Sequence, residues 1–248
     1  MRPLLALLLS LCVLPSALAA SIEEDVQRYL RVLEQRDPRL QAIEFEALCC
    51  MGLSDPRLFD EVEQRLLADH ESARTHRENK QRLAWYFRAL GFSGQSKYQP
   101  TLQRFVDDRA YRNYAITALR ESPQYAKWNP IISNRATFDP GRSDDANRFV
   151  NMLSADDPFL HRVAAKRIFQ TSEMAPAVAD LLAGRIRESY MKADKYDTEQ
   201  LETVGWLLNA LGRWRTDPKY ASLLREVSAR APAEKLRARA LAALEGRR

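Results

Sequence analysis

The side chains that could do chemistry in this chain are few. Histidine occurs at His70, His76 and His161, and a His-Glu pair occurs once, at His70-Glu71. A zinc site needs donors at compact spacing, such as two histidines one helical turn apart with a glutamate between them, and no such set is present. All three histidines therefore read as solvated residues near helix ends. The adjacent pair Cys49-Cys50 could carry redox chemistry in an oxidising compartment. Neighbours on a helix point about 100° apart, which defeats disulfide geometry. The pair thus reads as one cysteine buried as a small hydrophobe and one at the rim, with an intermolecular or strained vicinal disulfide as the alternative.

Carboxylates stand side by side at Asp107-Asp108, Asp144-Asp145 and Asp156-Asp157. Each pair falls at an expected turn or helix start, where acids favour the positive end of the helix dipole. The segment Asp139–Asn147 is acidic enough to suggest calcium but lacks the regular ligand spacing of a calcium loop. No Gly-x-Ser-x-Gly elbow, P-loop or dinucleotide fingerprint occurs, and no Ser, His and Asp take triad roles. The expectation is no catalytic residue, no cofactor and no metal site. Partner contact is the chemistry that remains. Between residues 120 and 157 aromatic and basic residues interleave: Tyr125, Trp128, Arg135, Phe138 and Arg142. Such side chains suit a peptide, glycan or anionic ligand; the alternative is that the rings plug a gap in the packing.

The elements that must position these residues are helices. Leu83 to Leu119 holds a helix ending near Gly91, a second with Tyr98, Leu102, Phe105 and Val106 on one face, and a third with Tyr111, Tyr114, Ala115, Ala118 and Leu119. Spacings of three and four bury one stripe of a helix. The pattern returns near the C-terminus, where Trp206, Ala210-Leu211-Gly212 and Lys219-Tyr220 match Trp85, Ala89-Leu90-Gly91 and Lys97-Tyr98. Leu48 to Leu90 and Phe169 to Leu211 each span 42 residues, within the period of about 40 to 47 typical of two-helix repeats. Asp-Pro at Asp37, Asp55, Asp157 and Asp217 reads as helix-start punctuation. The stripe Leu40, Ile43, Ala47, Leu48 and Met51 is expected to be buried, and Ile22, Val26, Leu30 and Leu33 form an N-terminal capping helix.

On Leu90-Gly91, Leu102, Phe105, Asp107-Asp108, Arg112, Ala115 and Ala118-Leu119 the chain resembles the HEAT-repeat family, in its short bilin-lyase-like variety. The resemblance covers most of residues 22–246 and departs at an expected irregular insertion, about 120–157, broken by Pro123, Pro130 and Pro140-Gly141. It implies an all-α fold, an α-solenoid of stacked helical hairpins in an armadillo-like superhelix. HEAT-repeat hydroxylases hold two irons with several His-Glu pairs; this chain has one, so that activity is not implied.

Met1–Ala20 has one arginine, an apolar core from Leu4 to Leu14 and Ala17-Leu18-Ala19, the layout of a secretory signal peptide cut near Ala19 or Ala20. The core is shorter than the roughly 20 residues that span a bilayer. The expectation is a periplasmic or secreted solenoid domain at residues 21–248, without a transmembrane segment. Export also makes nucleic acid an unexpected partner, despite a net charge of +5. Charge is uneven: Ser21–Glu71 holds 6 basic and 13 acidic residues, Arg213–Arg248 holds 10 and 4. That gradient suits salt-sensitive self-association or docking on an anionic surface. The expected function is a non-catalytic scaffold binding a protein or peptide on its concave surface. The alternative is an enzyme or ligand-binding protein with a groove near the insertion, using exposed Tyr86 and Trp128.

Overall fold

The computed structural model describes residues 14–35 and 37–247. The expected leader lies outside the described residues up to position 13. The described residues form twelve α-helices: α1 (Leu14–Glu34), α2 (Pro38–Leu48), α3 (Pro56–Asp69), α4 (Arg77–Phe92), α5 (Gln99–Arg104), α6 (Arg112–Ile132), α7 (Asp144–Ser154), α8 (Pro158–Gln170), α9 (Pro176–Ser189), α10 (Thr198–Leu211), α11 (Pro218–Arg230) and α12 (Glu234–Glu245). Short 3₁₀ turns complete the fold, and the described residues contain no strand. No helix among them is long and apolar enough to cross a membrane.

Aspartate starts four of these helices as the Asp-Pro pairs require. Asp37, Asp55, Asp157 and Asp217 each accept the backbone N–H two residues on, at 2.8 to 2.9 Å. A carboxylate there satisfies one of the N–H groups a helix leaves open, and proline removes another.

The chain divides into two units, Met1–Glu46 with Leu53–Pro123 and Ala47–Gly52 with Gln124–Arg248. The second repeats the first, helix for helix. Pro38 and Pro158, or Pro56 and Pro176, lie 120 positions apart; Trp85 and Trp206, or Gly91 and Gly212, lie 121 apart. Burial follows the same register: Tyr29, Val62, Leu66 and Leu90 match Phe149, Leu182, Ile186 and Leu211 in the two cores.

Contacts repeat as well. In the first unit the Tyr98 hydroxyl donates to Asp60 at 2.9 Å and Lys97 pairs with the same carboxylate. In the second, the Tyr220 hydroxyl donates to Asp180 at 2.9 Å and Lys219 pairs with it. Lys97, then Tyr98, hold Asp60 below the usual carboxylate range, and Lys219 with Tyr220 do the same for Asp180.

Packing within the second unit is serial. Helix α7 packs on α8 and α9, α8 on α10, α9 on α10 and α11, and α12 on α10 and α11. The first unit shows the same steps: α1 packs on α3 and α3 on α4, Phe45 of α2 meets Tyr86 of α4 edge-on at 5.8 Å, and Gly91 of α4 lies against Ala118 of α6.

Three expectations are corrected. In α2 the buried face is Gln41, Phe45 and Leu48, while Leu40 and Ile43 are 53% and 57% exposed; Gln41 turns inward because its Nε2 donates to the Val32 and Leu33 carbonyls. Ile22 is likewise exposed rather than part of the α1 stripe. The expected break at Pro123 and Pro130 does not occur, since α6 runs through both to Ile132. A proline inside a helix forfeits about 3 kcal/mol, and the buried stripe Tyr125, Trp128, Asn129 and Ile132 offsets that loss. Residues 120–157 are thus the second half of α6, a loop, and α7, the counterpart of α1.

At Gly212 an added Cβ would meet the Ala243 Cβ at 2.9 Å and its carbonyl oxygen at 3.1 Å. Gly212→Ala should therefore lower stability by about 1–3 kcal/mol, despite the roughly 0.5–1 kcal/mol that alanine gains in a helix. Urea unfolding checks this through a lower midpoint at unchanged slope; an unchanged or raised midpoint would refute the close packing.

Candidate functional site

The residues expected to contact a partner are distributed as follows. Tyr125 and Trp128 are buried, at 4% and 6% exposure, with their rings edge-on at 5.2 Å. The Trp128 indole N–H donates to Asp157 Oδ2 at 2.7 Å, so this carboxylate caps α8 and holds the ring. Arg135 has a nearly buried side chain, paired with Asp144 at 2.5 Å and lying 4.6 Å over the half-buried Phe138 ring. Arg142 pairs with Asp139 at 3.2 Å. Tyr125 and Trp128 come together, as do Arg135 and Phe138, and the first pair packs inward instead of lining open surface. Tyr86, expected exposed, is also in the core.

The segment that suggested calcium is closed on itself. Asp139 accepts from the Gly141 N–H at 2.8 Å, and the Asn147 side chain bonds the Asp139 backbone in both directions at 2.9 Å. No three of His, Cys, Asp and Glu converge as a metal site would require among the described residues. Cys50 is buried and Cys49 half-buried, with sulfurs 3.4 Å apart and no disulfide joining them. The contact with Cys49 and burial push the Cys50 thiol well up.

His70 and His76 lie beside a turn, but His161 is buried on α8, contrary to the expectation of solvation. Its Nε2 is 2.7 Å from the Ala155 carbonyl, an acceptor, so Nε2 carries the proton. Arg185 of α9 reaches the same helix end: Nε donates to Leu153 at 2.8 Å, and Nη2 to Ser154 and Ala155 at 3.2 Å. Its Nη1 pairs with Glu188 at 3.0 Å. Beside these groups lies a cavity of about 200 Å³ among α8, α9 and α10, lined by Pro158, His161, Arg185, Tyr196, Val204 and Leu207, with Asp156, Glu188, Ser189, Gln200 and Thr203 completing it.

No protein-family model, curated protein or solved structure matches the chain. The site must be read from its own residues. A second cavity, about 210 Å³, is lined by Arg213, Arg215 and Arg247. There Arg213 is held by the Ile168 and Glu173 carbonyls and Arg247 by Glu245; the first cavity differs in its apolar wall of Pro158, Val204 and Leu207.

Sequence reasoning missed the cavity because its residues are scattered over three helices with no local motif. The available signal was a comparison of repeats, which sets Leu207 against Tyr86 and His161 against Gln41.

Burial, and less so the Arg185 charge, lower the His161 pKa from its ordinary 6.5. Below about pH 6.5 the unfolded chain binds the proton that the folded chain resists, so this contribution is full above that pH and is lost as pH falls toward the lowered value. His161→Gln keeps a donor for Ala155, as Gln41 does for Val32 and Leu33. Thermal melts between about pH 7 and pH 5 should show a shallower acid loss for the variant; parallel curves would count against a buried neutral imidazole. Asp157→Ala removes a cap, worth about 1 kcal/mol, and orphans the indole N–H, worth about 1–3 kcal/mol. Denaturant unfolding should register a loss of roughly 2–4 kcal/mol, and a loss no larger than that of Asp217→Ala would mean that the Trp128 bond contributes nothing.

Proposed function

We propose that the chain is an exported scaffold whose hairpins stack in series as an α-solenoid of the kind the HEAT-repeat resemblance implies. Successive helices build its partner surface, and it binds a peptide or protein there without turnover. The observation that carries this reading is the serial packing: helices meet those one or two steps along the chain, in both units. Helices arranged in that way bury their apolar stripes against neighbours and leave a continuous row of inter-helix edges for recognition.

Ionisable groups support the reading through their roles in holding the fold. Asp60 and Asp180 tie tyrosines, Asp55, Asp157 and Asp217 cap helices, and Arg185 and His161 satisfy a helix end. The cavity among α8, α9 and α10 supplies a place where an anchor side chain could sit.

Selection against a displayed random peptide library tests the scaffold role. The purified full chain should enrich peptides with a shared motif, bind them saturably at about micromolar Kd, and return them with unaltered mass. Failure to enrich any peptide while the chain stays folded, or recovery of chemically changed peptides, would overturn it.

A further inference from the structure

In the cavity among α8, α9 and α10, four polar side chains of the lining are already engaged with the backbone. His161 donates to Ala155, Arg185 to Leu153, Ser154 and Ala155, the Thr203 hydroxyl to Glu199, and the Ser189 hydroxyl to Arg185. What an occupant meets is chiefly hydrocarbon: Val204, Leu207, Pro158 and the Tyr196 ring. A dry apolar cavity of about 150 Å³ accommodates a benzene ring, so about 200 Å³ accommodates a leucine or phenylalanine side chain. The exposed rim carries the Asp156 and Glu188 carboxylates, while the neighbouring guanidinium of Arg185 is turned onto backbone carbonyls and Glu188.

The sister unit shows that the fold does not require this space. In the register fixed by Trp85 and Trp206, Leu207 corresponds to Tyr86, Val204 to Leu83 and Thr203 to Arg82; in the register of the Asp-Pro pairs, His161 corresponds to Gln41 and Ala165 to Phe45. In the first unit Tyr86 is 1% exposed and meets Phe45 at 5.8 Å, so a ring is packed in the core at the position of Leu207. The second unit has leucine and alanine instead. Of the two, Leu207 lines the cavity, and a ring at that position is what the first unit has in its place.

We infer that this cavity receives an apolar side chain, leucine to phenylalanine in size, from a peptide segment with lysine or arginine beside that residue. The cavity's hydrocarbon wall takes the anchor, and the Asp156 and Glu188 carboxylates face the flanking cations. The inference deepens the scaffold reading and rests on it.

The test is fluorescence anisotropy with short labelled peptides, blocked at both ends, carrying central Leu, Phe or Ala flanked by Lys or by Glu. The full chain should bind the Leu or Phe peptides with Lys flanks about tenfold or more tighter than the Ala peptides, and the Glu-flanked forms more weakly still. Leu207→Tyr, which copies the residue of the sister unit, should lose that preference by a similar factor while its thermal melt is retained. Asp156→Asn changes only the exposed rim and should reduce the Lys preference, as should added salt.

Equal binding of Leu and Ala peptides, or a well-folded Leu207→Tyr that binds as the parent does, would overturn the inference. So would indole binding as tightly as the peptides, which assigns the cavity to a small molecule, or dimerisation abolished by Leu207→Tyr, which assigns it to a second copy. If library-selected peptides still bind when these peptides do not, the cavity assignment falls and the scaffold reading survives. If neither set binds, both fall.

Discussion

The constraint on which both halves depend is the carbonyl end of their first helix. Buried C=O groups at a helix terminus have no partner in their own helix, and each left unsatisfied costs about 1–3 kcal/mol. Side chains from the next two helices supply the donors. In the first half Gln41 of α2 donates to Val32 and Leu33, and Arg65 of α3 donates to Leu33. In the second half His161 of α8 donates to Ala155, and Arg185 of α9 to Leu153, Ser154 and Ala155. A donor from each following helix fixes where that helix must lie, and the apolar stripes then close over positions the polar groups have already set.

This arrangement explains which parts of the chain were legible in the sequence. The Asp-Pro starts could be read because the cap and its helix are local, within three residues of each other. The Ala-Leu-Gly landmarks could be read because a glycine at a close helix crossing leaves a fixed gap in an apolar run, and Gly91 and Gly212 both face an alanine. In α2, by contrast, two apolar stripes were available at equally helical spacing. Leu40 and Ile43 lost to Gln41 and Phe45 because an amide was needed at carbonyls eight and nine residues back, at the end of the preceding helix, a demand that periodicity cannot express. His161 was misread for the same reason.

Helix α6 and its prolines show the opposite conflict. Local chemistry at Pro123 and Pro130 argues for a break, yet Tyr125, Trp128 and Ile132 lie on one face and are buried together. The indole N–H then finds Asp157, a residue already committed to starting α8. One carboxylate serves a local and a distant partner, and only the local half of that role is visible from Asp157-Pro158 alone. The candidate partner residues of the same stretch follow suit, since aromatic and basic residues interleaved in sequence became, in space, a packed Tyr-Trp pair and a separate Arg-Phe pair.

The two halves meet the same backbone demands with different side-chain volume. Phe45, Phe59, Tyr86 and Phe87 of the first half correspond to Ala165, Ala179, Leu207 and Leu208, all buried. Removing rings at four sites obliges helices to approach or leaves space between them, because interiors otherwise pack to near-crystalline density. The second half recovers contact at its C-terminal side, where α11 has 13 residues against 6 in α5 and packs along α12. At α8 and α10 the helices have approached where the rings are missing, and the two pack directly on each other. The carbonyl demand that orders the first three helices of each half thus sets which helices meet, and side-chain volume sets how closely they do.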